Sequence, residues 1–121
     1  MKTVLIAFDV DGTLISNQPK DLQLGYPVAN ERIRTVLIAL ASMKNTKIIV
    51  WSGGGAGYAQ DVVRRLGLQK YVDGYASKNP QVDVTVPGKR HVFIPDIKPH
   101  LAFDDIQDCD LGEQNIIVRE K

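Results

Sequence analysis

Apolar runs and polar breaks divide the chain into alternating blocks. Val4 to Phe8 is an unbroken apolar run that stops at Asp9, the pattern of a strand buried on both faces of a parallel sheet. Between Asp11 and Asn30, residues Gly12, Asn17, Pro19, Gly25 and Pro27 break every period, which predicts a loop with room for a short hairpin. Asn30 is placed as an N-cap, and Ile33, Val36, Leu37, Leu40 and Ala41 then recur at helical spacing with Arg32, Arg34 and Lys44 outside the stripe. A helix is expected over about 30–44. Lys47 to Trp51 predicts a second buried strand, ending at Ser52 before Gly53, Gly54 and Gly55. Tyr58, Val62, Val63 and Leu66 predict the next helix, with Gly67 as its C′ residue. Three further strands are expected at Tyr71–Ala76, Leu101–Phe103 and Asn115–Val118. The first ends near Ser77 and Lys78, the second at Asp104 and Asp105.

Strands alternating with helices predict an α/β chain: a Rossmann-like three-layer sandwich with a mainly parallel central sheet, built by right-handed crossovers as one domain over residues 1–121. The stretch from Gln81 to Pro99 breaks the rhythm. Val82, Val84 and Val86 alternate with polar residues, Pro87 and Gly88 signal a turn, and Val92, Phe93 and Ile94 follow, so a β-hairpin is expected near 81–95.

Composition narrows the class of function. With 44% hydrophobic and 24% charged residues the chain matches ordinary globular domains, which excludes disordered and fibrous classes. Fifteen basic against fourteen acidic residues leave a net charge of +1, so no global field gathers nucleic acid or an anionic membrane, and nucleic acid is not indicated as a partner. The apolar run before Asp9 is too short for a signal peptide, and no stretch approaches the ~20 residues of a membrane span; a cytoplasmic setting without membrane attachment is expected. Cys109, the one cysteine, lies between Asp108 and Asp110 and reads as an inert thiol. Lys89, Arg90 and His91 read first as a solvated turn and second as a contact for a polyanion; His100 reads as a polar residue before a strand or a substrate contact, and Trp51 as core.

In open parallel sheets, ligands bind outside the carboxyl ends of the strands. Here those ends carry Asp9 and Asp11, then Ser52, then Asp104 and Asp105, with Lys78 after another. Any one such aspartate is explained equally well as a turn residue bonding nearby amides. All of them together are not, and carboxylates that converge repel one another unless a hard cation joins them, a role suited to Mg²⁺.

Phe8-Asp9-Val10-Asp11-Gly12-Thr13-Leu14, Val50-Trp51-Ser52-Gly53 and Phe103-Asp104-Asp105 together resemble the first, second and fourth motifs of the haloacid dehalogenase superfamily of phosphohydrolases. The resemblance implies a Mg²⁺-dependent phosphomonoester hydrolase with Asp9 as nucleophile and Asp11 as general acid and base. Ser52 and Lys78 complete the catalytic set, and Val10, Ser52, Gly53 and Lys78 are implied as the phosphoryl-binding group. Magnesium is implied at Asp9, Asp104 and Asp105 and at the backbone carbonyl of Asp11. Lys98 is a second candidate for the motif lysine, and Asp104 with Asp108 a second acidic pairing. Neither Thr13–Asn30 nor Gly53–Ser77 has room for a lid, so no cap domain is expected; an open site implies a bulky phosphorylated substrate or a lid lent by a neighbouring subunit of a homo-oligomer.

Three other classes compete. A receiver-type phosphoacceptor domain shares the sheet, acidic residues, Ser/Thr and Lys, but places its acidic pair first along the chain, whereas here it comes last. A phosphotransferase uses the same residues with another acceptor in place of water, and a catalytically silent binding module keeps the fold without turnover.

Overall fold

The structure, a computed structural model, describes residues 2–78, 98–106 and 111–119. The expected hairpin near 81–95, the basic cluster Lys89, Arg90 and His91, and Asp108 and Cys109 lie outside the described residues. Five strands are present: β1 (Val4–Asp9), β2 (Thr46–Ser52), β3 (Gly74–Ser77), β4 (Leu101–Asp104) and β5 (Gln114–Ile117). All pair in parallel, in the order β3-β2-β1-β4-β5, which makes the chain an α/β, Rossmann-like sandwich. The two longest apolar runs, β1 and β2, lie at or beside the centre, where both sheet faces are buried.

Side-chain alternation sorts the sheet into two faces. Ile6, Phe8, Ile48, Val50, Tyr75 and Phe103 pack against Ile33 and Leu37 of helix α2 (Glu31–Ala41) and Ala59, Val62 and Val63 of helix α3 (Ala56–Arg65). Ala7, Ile49, Trp51 and Ala76 form a smaller cluster on the other face, with Leu5 and Leu111 against it. Trp51 is therefore core. Among the described residues no helix is long and apolar enough to cross a membrane.

Helix α2 ends at Ala41, short of the expected residue 44, because side chains take over its last carbonyls. Ser42 Oγ donates to the Ile38 carbonyl at 2.9 Å, the single Thr46 hydroxyl proton is shared between the carbonyls of Leu40 and Met43, and Asn45 turns the chain at φ 61°. Helix α3 closes at Gly67 as expected. Gly67 has φ 71°, its N–H donates to the Arg64 carbonyl, and Leu68 N–H donates to Val63 while its side chain is buried, a complete Schellman motif.

The third strand starts later than expected. Gln69–Tyr71 forms a single 3₁₀ turn, and Asp73 then binds Ile48 of β2 twice, accepting from its N–H through the carboxylate and donating to its carbonyl, both at 2.8 Å. Residues 11–30 form a tied loop containing one short helix, α1 (Pro19–Leu22), with proline in its first turn. Ser16 N–H to Val28 and Asn30 N–H to Leu14, both 2.8 Å, close the loop like a hairpin base. Asn30 occupies the N-cap position of α2 without a side-chain cap bond.

Candidate active site

Four strands end on a polar residue at the same edge of the sheet: Asp9 of β1, Ser52 of β2, Ser77 of β3 and Asp104 of β4, all buried. Register enforces this. Phe8 pairs with Phe103, so Asp9 and Asp104 are the next residues of neighbouring strands, and Ser52 pairs directly with Ser77. Beneath the carboxylates the Phe8 and Phe103 rings stack with centroids 4.5 Å apart, an apolar floor that limits water access from the helical side.

Lys78, one residue past β3, joins the two central strands through its side chain. Its Nζ donates to Asp9 Oδ1 at 2.7 Å and to Asp104 Oδ2 at 2.5 Å. The Lys78 backbone N–H also donates to the Ser52 carbonyl at 3.0 Å, which fixes where the side chain departs. Asp104 Oδ1 accepts from Ile106 N–H at 3.1 Å, and Asp9 Oδ2 accepts from Thr13 Oγ1 at 3.3 Å. Ser52 Oγ accepts from Gly54 N–H at 3.0 Å, which leaves the hydroxyl proton to donate elsewhere.

Asp105 is exposed, yet one of its carboxylate oxygens lies within 4.8 Å of one from Asp9 and one from Asp104. The turn after β1 is shaped to admit it. Gly12 has φ 80°, and a Cβ there would stand 2.7 Å from Asp105 Cγ. Gly12 is thus favoured by its backbone conformation and by the close approach of the Asp105 side chain.

The electrostatics follow from one ammonium among three carboxylates. Burial pushes the Asp9 carboxyl up to about 6; Lys78 pulls it down, and Asp104 and Asp105 push it further up. Burial works against the charge on Lys78, but its bonds to Asp104 and Asp9 outweigh that and hold it above the ordinary lysine value, so it stays charged. Asp105 is raised by burial and by Asp104. The cluster retains excess negative charge, and its donors are hard oxygens. Asp9, Asp104 and Asp105 each offer an oxygen within 4.8 Å of the others, a group that could hold a hard cation.

Asp11 stands apart from this cluster. Its Oδ1 accepts from Tyr58 Oη of α3 at 2.8 Å, and the Tyr58 hydroxyl is pushed up to about 12 by burial and then by Asp11, so it remains a donor throughout the neutral range. The structure thus brings together Asp9, Lys78, Asp104 and Asp105, with Ser52 at the end of the strand beside β1, Val10 buried just after β1 and Gly53 exposed just after β2. Lys98 is exposed and precedes β4, at the amino edge of the sheet. His100 lies at that same edge, where it brackets Leu5, donating its N–H to the carbonyl and accepting the Leu5 N–H on Nδ1 at 3.0 Å.

Sequence reasoning gave no role to Tyr58 or to the Thr13 hydroxyl. Spacing alone places Tyr58 in an apolar stripe; its signal is a phenol in the first turn of a helix that begins just beyond a carboxylate-bearing edge, since a partly buried tyrosine hydroxyl takes a partner. No family model matches the chain, and neither a curated protein nor a solved structure does.

Proposed function

We propose that the chain is a Mg²⁺-dependent phosphomonoester hydrolase working through an aspartyl-phosphate on Asp9. The observation that carries this reading is the Lys78 ammonium held between Asp9 and Asp104 at the carboxyl edge, with Asp105 completing an oxygen cluster beside it. A turn-capping role does not account for a lysine drawn between two buried carboxylates. In this reading Asp9, Asp104, Asp105 and the carbonyl of Asp11 hold the cation, which when bound offsets phosphoryl charge and favours the ionised form of Asp9.

The chain's own groups then divide the work. Asp9 attacks phosphorus, the bond from phosphorus to the ester oxygen breaks, and Asp11 gives its proton to the departing oxygen. Asp11 next takes a proton from water, whose oxygen attacks the same phosphorus and releases Asp9 as a carboxylate with inorganic phosphate. Lys78 and the Ser52 hydroxyl hold phosphoryl oxygens as negative charge spreads over them. The Gly53 backbone, free of a side chain, admits the phosphoryl group closely. Tyr58 holds Asp11 by one oxygen, which leaves the other to exchange the proton.

Hydrolysis of p-nitrophenyl phosphate with and without Mg²⁺, in wild type and Asp9→Asn, tests the reading. Magnesium-dependent turnover abolished by the substitution is expected. Turnover that survives Asp9→Asn removes Asp9 as nucleophile, and absence of turnover in folded, metal-loaded wild type points to a binding module.

A further inference from the structure

We infer that the cleft between the 22–27 loop and α3 receives the alcohol side of the phosphoester and selects a small, uncharged group with an apolar or aromatic face; this rests on the hydrolase reading above. The cleft holds about 280 Å³ and is lined by Asp11, Leu22, Tyr26, Pro27 and Tyr58. Asp11 fixes its meaning. In the proposed reaction Asp11 protonates the departing oxygen, so whatever that oxygen carries must extend from Asp11, and this cleft opens there.

The lining defines the chemistry. Leu22 and Tyr26 are 58% and 53% exposed, large apolar groups held in solvent beside a charged site, an arrangement that marks a binding surface. The loop that carries them is pinned beforehand by Ser16 Oγ donating to Asp21 Oδ2 at 2.5 Å and by the Ser16 to Val28 backbone bond. Two charged side chains, Asp61 and Arg65, reach the wall, but they pair with each other at 3.0 Å. Arg65 is thus already bound, and no other residue of this lining carries a positive charge for a second anionic group. The volume sits at the small end of ligand sites, which run to about 300–1,000 Å³, and suits a single ring rather than a polymer.

Three esters of primary alcohols test this without changing the leaving-group chemistry: 2-phenylethyl, ethyl and 2-carboxyethyl phosphate. Wild type with Mg²⁺ is expected to favour the phenylethyl ester in kcat/KM by about tenfold or more, the usual return of an apolar pocket. The double variant Leu22→Ala, Tyr26→Ala should bring the phenylethyl-to-ethyl ratio to within about twofold. Both side chains are exposed, so the fold is expected to survive, checked by circular dichroism. Binding is measured in parallel from amide NMR shifts at Leu22 and Tyr26 on adding each ester. Turnover without preference, or a preference that the double variant keeps, overturns the cleft while leaving the hydrolase reading intact. No turnover with selective phenylethyl binding that the variant loses keeps the cleft and removes the hydrolase reading. Neither turnover nor binding overturns both.

Discussion

Two ion-paired triads of opposite sign share this small fold. Lys78 lies between Asp9 and Asp104, with side chains 19%, 9% and 0% exposed. Asp61 on α3 lies between Arg64 and Arg65, with side chains 42%, 68% and 57% exposed. Distances are alike, 2.7 and 2.5 Å in the first and 3.1 and 3.0 Å in the second. Solvent separates them. Around Asp61, water screens both attraction and loss; around Lys78, each charge has given up its hydration and depends on its partners. The first triad is held in place by need, which is what a reaction site requires of groups that must not wander.

The largest effect should come from breaking the buried triad. Lys78→Met leaves Asp9, Asp104 and Asp105 facing one another without their ammonium, and metal-free stability in urea should fall by about 3 kcal/mol or more. Magnesium should restore part of this loss, because a cation at the same oxygens removes the same repulsion. In wild type, Mg²⁺ at about 100 times its Kd should add about 2.7 kcal/mol, and Asp105→Asn should reduce that gain. A Lys78→Met protein as stable as wild type without metal would sink the contrast between the triads.

Asp9 supplies a smaller effect of opposite sign. Its carboxyl titrates near 6 in the fold against 3.8 ordinarily. Between those values the folded chain binds a proton that the unfolded chain does not, so metal-free stability falls as pH rises from about 4 to about 6 and the loss is complete above that. Asp105, also raised, adds in the same direction. Asp9→Asn should flatten this window and leave the metal-free protein about 2 kcal/mol more stable at pH 7. That figure lies below what the difference between about 6 and 3.8 alone would give, because the substitution also weakens an acceptor of the Lys78 ammonium. Chemical denaturation across pH, wild type against variant, measures it. A stabilising change at Asp9, if it comes with loss of turnover, would mark the residue as kept for chemistry.

The sheet was legible in the sequence because its strands are buried on both faces and so read as unbroken apolar runs with polar ends. Asp9, Ser52 and Asp104 were visible for the same reason: each terminates such a run. What period and run length cannot carry is contact between distant elements. The Tyr58 bond to Asp11 spans 47 residues and the Lys78 bond to Asp9 spans 69, so in the sequence Tyr58 reads as one more member of an apolar stripe and Lys98 stays beside Lys78 as a second candidate. The late start of β3 was hidden likewise, since Tyr71 has strand propensity but turns where Asp73 takes hold of Ile48.

The smallest effect should come from the exposed triad, and it sharpens the comparison most. The arginines hold the Asp61 carboxyl below its ordinary value, chiefly through the hydrogen bond from Arg64, yet the group is open to solvent, so the attraction on folding replaces equally good contacts with water. Asp61→Ala should leave the urea midpoint unchanged within error, and adding about 0.5 M NaCl, which shortens the screening length to a few ångströms, should affect wild type and variant alike. The same salt should leave the loss on Lys78→Met nearly intact, because bulk salt screens buried charges far less than exposed ones. If salt erased that loss, the Lys78 triad would be a surface ion pair in all but position.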